Sequence, residues 1–170
     1  MSRGQPLALS FIALGSNVAG RFASPAEAIE AAIQALQATE IMRVSRSRLY
    51  RSAAWPDPVD PEFINAVIAV ETSLAPDALL ARLHAVEAEF GRERRQVNAP
   101  RTLDLDIVDY AGQVSIPGDS PILPHPRLAD RAFVLLPLAE ITPDWRHPMT
   151  GVPIGDLIRA LPDAHAAVPL

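Results

Sequence analysis

Apolar and polar positions alternate along this chain with two different periods, and the changes of period mark its elements. Leu7 to Leu14 is apolar everywhere except Ser10 and stops at Gly15-Ser16-Asn17, which predicts a buried first strand closed by a turn. Ser24-Pro25-Ala26-Glu27 is a capping box with proline at the first helical position, and Ile29, Ile33 and Leu36 form the stripe of the helix behind it. Ile41 to Arg51 reads as a strand with a basic face of Arg43, Arg46, Arg48 and Arg51. Phe63 to Thr72 is a cleaner strand, with Ile64, Ala66, Ile68 and Val70 facing one way and Asn65 and Glu71 the other. Between these two strands, Ser52 to Glu62 carries Pro56, Pro58 and Pro61 and is too proline-rich to pair.

A second helix opens at Pro76-Asp77, buries Leu79, Leu80, Leu83, Val86 and Phe90, and ends before Gly91. Thr102 to Tyr110 returns to period two and predicts a strand. A loop with four prolines (Pro117, Pro121, Pro124, Pro126) leads to a helix over Ala132 to Ile141, and from Thr142 onward no period is readable. Strand, helix, strand, strand, helix, strand suits two βαβ halves side by side, an α+β fold with helices packed on an antiparallel sheet. With 170 residues and no linker or internal repeat, one domain over 1–170 is expected.

Composition narrows the chemistry. The chain has no cysteine, which excludes thiolate nucleophiles, disulfides and cysteine-held metals. It also has no lysine: all 15 cations are arginine, so Schiff-base chemistry and the lysine-ended phosphate loop are excluded, and any phosphate must be met by guanidinium, backbone N–H or a metal. A net charge of −5 and 5% aromatic residues argue against a nucleic-acid surface. The start lacks the apolar core of a signal peptide and no run reaches membrane-spanning length, so the expected compartment is the cytoplasm, with no membrane partner.

The leading chemical candidate is Asp104-Leu105-Asp106. Strand alternation puts both carboxylates on one side, about 6.8 Å apart along the backbone, where they can hold one or two Mg²⁺ ions against phosphate oxygens. Taken alone, the doublet reads more simply as two acidic residues on the wet face of a half-buried strand. Arg92, Arg94, Arg95 and Arg101 crowd the preceding segment, and four guanidiniums with two carboxylates favour a metal–polyphosphate site over a self-repelling loop. Glu87 stands at the edge of the second helix's apolar stripe, either seeking a partner in that arginine loop or simply reaching solvent. His125, stiffly held between Pro124 and Pro126, suits either a donor to phosphate or a surface notch. His84, His147 and His165 have no ligand spacing to one another. Trp55, Phe63 and Asn65 could line a pocket for a flat heterocycle or form the rim of a core, and the pattern leaves both open.

Taken together, these residues bring the chain into resemblance with a known family. Ile12-Ala13-Leu14-Gly15-Ser16-Asn17, Leu49-Tyr50-Arg51-Ser52, Phe63-Ile64-Asn65-Ala66, Glu87, Gly91-Arg92, Pro100-Arg101-Thr102-Leu103-Asp104-Leu105-Asp106, Pro124-His125-Pro126-Arg127 and Arg131-Ala132-Phe133-Val134 resemble, in order and spacing, the 6-hydroxymethyl-7,8-dihydropterin pyrophosphokinases of folate biosynthesis. The resemblance implies a ferredoxin-like βαββαβ core with extra C-terminal elements, two Mg²⁺ ions, ATP as co-substrate, and transfer of pyrophosphate to the pterin's hydroxymethyl oxygen with release of AMP. It implies Asp104 and Asp106 as metal ligands and, with Arg92 and Arg101, as the catalytic set. Glu87, Arg92, Arg94, Arg101, His125 and Arg131 would serve ATP. Ser52, Ala53, Ala54 and Trp55 would border the pterin, Phe63 and Phe133 would sandwich it, and Asn65 would bond its edge.

This chain departs from the family pattern in three places. Asn98-Ala99 stands where many members have Trp-Gly, the loop is one residue shorter than in some, so that either Arg94 or Arg95 is its second arginine, and Ala53-Ala54 replaces a frequent proline pair. The loop from Arg92 to Pro100 is expected to close on binding. A monomer acting on small molecules is expected. The alternative is a non-catalytic ferredoxin-like module that binds a small ligand or a protein and needs no divalent metal.

Overall fold

A computed structural model describes residues 6–37, 40–54, 59–92, 100–162 and 166–170. Trp55, Arg94, Arg95, Asn98, Ala99 and His165, singled out above, lie outside the described residues, as does most of the loop expected to close. The first strand, β1 (Ala8–Ser16), is followed by α1 (Pro25–Gln37), β2 (Ile41–Arg46), β3 (Tyr50–Ser52), β4 (Phe63–Thr72), α2 (Pro76–Glu89) and β5 (Asp104–Tyr110). After these come α3 (Ala132–Ile141), the short α4 (Ile154–Arg159) and a last strand, β6 (Ala167–Pro169).

Every strand pairing is antiparallel. The order β5-β1-β4 continues to β3 and then β6 at one end of β4, while β2 pairs the other end of β4. Taking β1, α1, β2, β4, α2 and β5 alone, the order β5-β1-β4-β2 is that of the ferredoxin-like βαββαβ core. The stretch read as one strand from Ile41 to Arg51 is split by Ser47. Its backbone N–H donates to Val67 O (2.9 Å), and its hydroxyl accepts from Val67 N (3.0 Å) while donating to Arg48 O (2.7 Å). A side chain that replaces ladder bonds lets the chain jog along β4 without stranding buried polar groups.

The two faces of the sheet carry different layers. Ile12, Leu14, Ile68, Val70, Leu105 and Ile107 point into a core shared with Ile29, Ile33 and Leu36 of α1 and Leu79, Leu83 and Val86 of α2. The helical stripes read from the sequence are the ones buried. The opposite face, with Phe11, Val67, Ala69 and Val108, packs on Val134, Leu135 and Leu138 of α3, on Trp145 and on Ile154 of α4. The unreadable tail is thus the second layer of the fold. Its anchor is polar: Trp145 Nε1 donates to Asp109 Oδ2 (2.8 Å), whose other oxygen accepts from Gly112 N (2.9 Å). The predicted capping box forms, Ser24 Oγ accepting from Glu27 N at 3.2 Å, although the Glu27 carboxylate reaches back to Ala23 N (2.9 Å) rather than to Ser24.

Candidate active site

Alternation along β5 turns Leu105 and Ile107 into the first core and Asp104 and Asp106 onto the second face. There α3 begins only at Ala132, leaving the end of the sheet uncovered. Register then sets the floor. Asp104 pairs with Gly15, and Gly15 with Asn65, so the carboxylate and the amide share a face with a glycine between them, about 10 Å apart at ~4.8 Å per strand. Gly15 ends no turn, since β1 runs on through Ser16. Its missing side chain matters for space: a Cβ would meet Asn65 Oδ1 at 3.3 Å and Phe63 Cδ1 at 3.7 Å.

Over this floor lies a cavity of about 260 Å³, a little below the usual range of small-molecule pockets. At one end it is bordered by Ser52, Ala53, Ala54, Phe63, Asn65 and Phe133. At the other it is bordered by Arg101, Asp104, Asp106 and Arg131. Asn65 Nδ2 donates to Ser52 Oγ (3.0 Å), which leaves Oδ1 on the glycine side of the floor. The guanidinium of Arg101 lies 5.7 Å from the centre of the Phe63 ring, and that of Arg131 lies 5.6 Å from Phe133. Each aromatic wall is therefore backed by a cation that also reaches the acidic end.

Both carboxylates are held by guanidinium. Asp104 accepts from Arg92 Nη1 (2.5 Å) and Arg101 Nη1 (3.0 Å), and Asp106 from Arg131 Nη1 (3.2 Å), with His125 Nε2 at 3.8 Å. Glu87 is 1% exposed and sits behind this array, accepting from Arg92 Nη1 and from Leu105 N (2.8 Å). Arg92 is thus clamped between two acids. Arg101 is placed by Asn17, whose Oδ1 accepts from Arg101 N (2.8 Å) while its Nδ2 donates to Pro61 O (3.1 Å). The Gly15-Ser16-Asn17 signal read as a turn thus contributes space at its glycine and a clasp at its asparagine. Burial pushes the His125 imidazole below its usual value; Asp106 opposes this, and Arg131 and Arg127 add to it. Its Nδ1 accepts from Arg127 N (3.1 Å), so the neutral ring presents Nε2–H toward Asp106.

Two features bear on a bound ion and a bound anion. Among the described residues no group of three or more His, Asp or Glu converges on one point. A cation held by Asp104 and Asp106 would draw its remaining ligands from phosphate and water, which is how Mg²⁺ binds beside nucleotides. Arg101 Nε is buried without a hydrogen-bond partner among the described residues, a donor suited to an incoming anion. Reasoning from sequence did not find Ala13, Gly15 or Ala166 at this cavity. The register of β1 against β5 would have located the first two; nothing local marks Ala166.

Residues 11–143 match the profile of the 7,8-dihydro-6-hydroxymethylpterin-pyrophosphokinase (HPPK) family. The chain belongs to this family. The 2-amino-4-hydroxy-6-hydroxymethyldihydropteridine pyrophosphokinase of Pseudomonas aeruginosa is 43% identical over 155 residues, covering 89% of this chain and 91% of its own. The folic acid synthesis protein fol1 of Pneumocystis carinii is 39% identical over 153 residues, of which this chain spans only 20%. Among solved structures, a Plasmodium falciparum HPPK-DHPS with pteroate superposes with a TM-score of 0.70 at 12% identity, over 93% of this chain and 44% of that one. At that identity the likeness speaks for the fold, and it places the HPPK fold as one part of a longer chain. The ferredoxin-like core implied by the sequence is the core observed, and no described helix is long and apolar enough to cross a membrane.

Proposed function

We propose that this chain transfers the terminal pyrophosphoryl group of ATP to the hydroxymethyl oxygen of 6-hydroxymethyl-7,8-dihydropterin, releasing AMP. The observation that carries this reading is the pairing, in one cavity, of an acidic doublet under three guanidiniums with an aromatic and amide end beside it. Membership of the HPPK family supports it. The substrate hydroxyl oxygen forms a bond to the β-phosphorus, the bond from that phosphorus to the AMP oxygen breaks, and the hydroxyl proton leaves to solvent. In-line geometry and charge neutralisation are what such a reaction needs from a protein.

Phe63 and Phe133 would hold the flat ring, and Asn65 Oδ1, its amide fixed by Ser52, would accept from the ring's edge. Asp104 and Asp106 would hold two Mg²⁺ ions. Such ions, when bound, neutralise the triphosphate and favour loss of the hydroxyl proton. With the carboxylates so engaged, Arg101 and Arg131 would be free to turn from acid to phosphate, and Arg92, still held by Glu87, would offer phosphate the donors Asp104 had taken, Arg101 Nε adding a donor it does not spend on protein. His125, neutral near pH 7, would donate Nε2–H to the same phosphates without adding charge. Glu87, beneath Arg92, would act through that arginine rather than by touching nucleotide. ATP is an intracellular substrate, which supports a cytoplasmic enzyme.

Asp104→Ala and Asp106→Ala test the reading. With ATP, Mg²⁺ and the hydroxymethyl-dihydropterin, each should cut AMP release by about 10³-fold or more, since each removes several kcal/mol of transition-state stabilisation. Near-normal rates in both would overturn the metal assignment. A wild-type chain that binds pterin but releases no AMP would identify a binding module instead.

A further inference from the structure

The last strand lies outside the matched 11–143 stretch, yet Ala166, the residue just before it, lines the cavity. β6 pairs with β3 in the register Tyr50↔Pro169, Arg51↔Val168 and Ser52↔Ala167, and Leu170 N donates to Leu49 O (2.9 Å). β3 is only three residues long, and without β6 it would be a free edge, held by β4 alone. Its last residue is Ser52, the hydroxyl that fixes the Asn65 amide, and Ala53 and Ala54 continue from it along the cavity wall. Ala167, 7% exposed, packs with Tyr50 and Ala132, and Phe133 lies against the same small cluster. Beside it, Ala166 faces the cavity.

We infer that β6 is a positioning and size-limiting element of the ring end of this site: it sets the pterin's affinity and leaves the nucleotide end alone. The inference rests on the pterin reading of the cavity. Three contacts converge on it. Pairing with β3 holds the Ser52–Asn65 hydrogen bond in register, Ala167 backs the wall that carries Phe133, and the single methyl of Ala166 limits the width of the ring slot. None of these is a contact with Asp104, Asp106, Arg92 or Arg101, and Arg131 is reached only through the Phe133 ring, so the effect should fall on the pterin rather than on ATP.

Two variants test it, each assayed for AMP release with the substrates varied separately. Deleting residues 166–170 should raise the pterin KM by about tenfold or more while the ATP KM stays within about twofold. Ala166→Phe, which keeps the strand and fills the slot, should raise the pterin KM to a similar degree with an unchanged melting temperature. If the deletion does not fold, Ala166→Phe decides alone. Pterin KM values within about twofold of wild type in Ala166→Phe would overturn the inference. So would a deletion that raises both KM values equally as the melting temperature falls, because that is the mark of a merely structural strand. An active wild-type enzyme with indifferent variants leaves the proposed reaction standing and removes only the role of β6; a wild-type chain without turnover removes both.

Discussion

Arg92 and Arg101 both bond Asp104, but they differ in what stands behind them. Arg92 also answers Glu87, whose side chain is 2% exposed, so the pair is desolvated on its inner side. Arg92→Ala should therefore cost stability as well as rate, by about 3 kcal/mol in urea denaturation, because a buried carboxylate loses its main cation. Arg101 has no such second acid among the described residues, and its backbone is clasped by Asn17 whatever its side chain does. Arg101→Ala is the cleaner kinetic probe. If its guanidinium meets charge that develops only as pyrophosphate is transferred, kcat should fall by ~10³-fold while the ATP KM changes far less. A raised KM with unchanged kcat would reduce Arg101 to a ground-state binding residue.

β3 is short enough that its position depends on neighbours, and one of them titrates. Glu140 on α3 accepts from Arg48 N (2.9 Å), Arg48 Nε (3.3 Å) and Tyr50 Oη (2.7 Å), tying the second helical layer to the jog between β2 and β3. Burial alone would raise this carboxyl, but the hydrogen bonds from Tyr50 and Arg48 and the Arg48 charge outweigh it and hold it below the ordinary range. A carboxyl held low when folded gives its full stabilisation above its unfolded value near ~4.3 and loses it as pH falls through the folded one. Wild type should thus be more stable than Glu140→Gln at pH 7, and the gap should close as pH falls below about 4. A gap that is constant with pH would mean the contact is not ionic. Arg46–Glu30 and Arg51–Glu62, with Arg48–Glu140, put three of the four arginines of the basic face read from the sequence into ion pairs.

What was legible in the sequence follows from the same elements. α1 and α2 bury one stripe each and β5 alternates from Asp104 to Ile107, so local pattern and tertiary need coincide there, and Asp104 and Asp106 could be placed on one face from spacing alone. The tail could not be read because its structure is made by distant partners. Trp145 is set by Asp109, 36 positions earlier, and β6 by β3, more than a hundred positions away. The same holds for Gly15, whose role is visible only when β4 brings Phe63 and Asn65 alongside.

For the molecule as a whole, the site sits where the two helical layers leave a gap, and its local charge runs against the rest. The chain carries −5, yet the nucleotide end gathers Arg92, Arg101 and Arg131. In the structure these cations are spent on Asp104 and Asp106, so a triphosphate must compete for them with the protein's own carboxylates. A divalent ion held by Asp104 and Asp106 would remove that competition, and nucleotide and metal binding would then be mutually dependent. A non-hydrolysable ATP analogue with Mg²⁺ at about 100 times its Kd should stabilise the fold by ~2.7 kcal/mol, a rise of roughly 5–10 °C in Tm for a chain of this size. The analogue with a chelator, or Mg²⁺ alone, should produce a small fraction of that shift. An Asp104→Asn/Asp106→Asn double variant should show a shift that no longer depends on metal, because Arg101 and Arg131 have lost their carboxylate partners and can meet phosphate directly. Equal shifts with and without Mg²⁺ in the wild type would mean that guanidinium alone binds the triphosphate and that the acidic doublet plays no part in holding it.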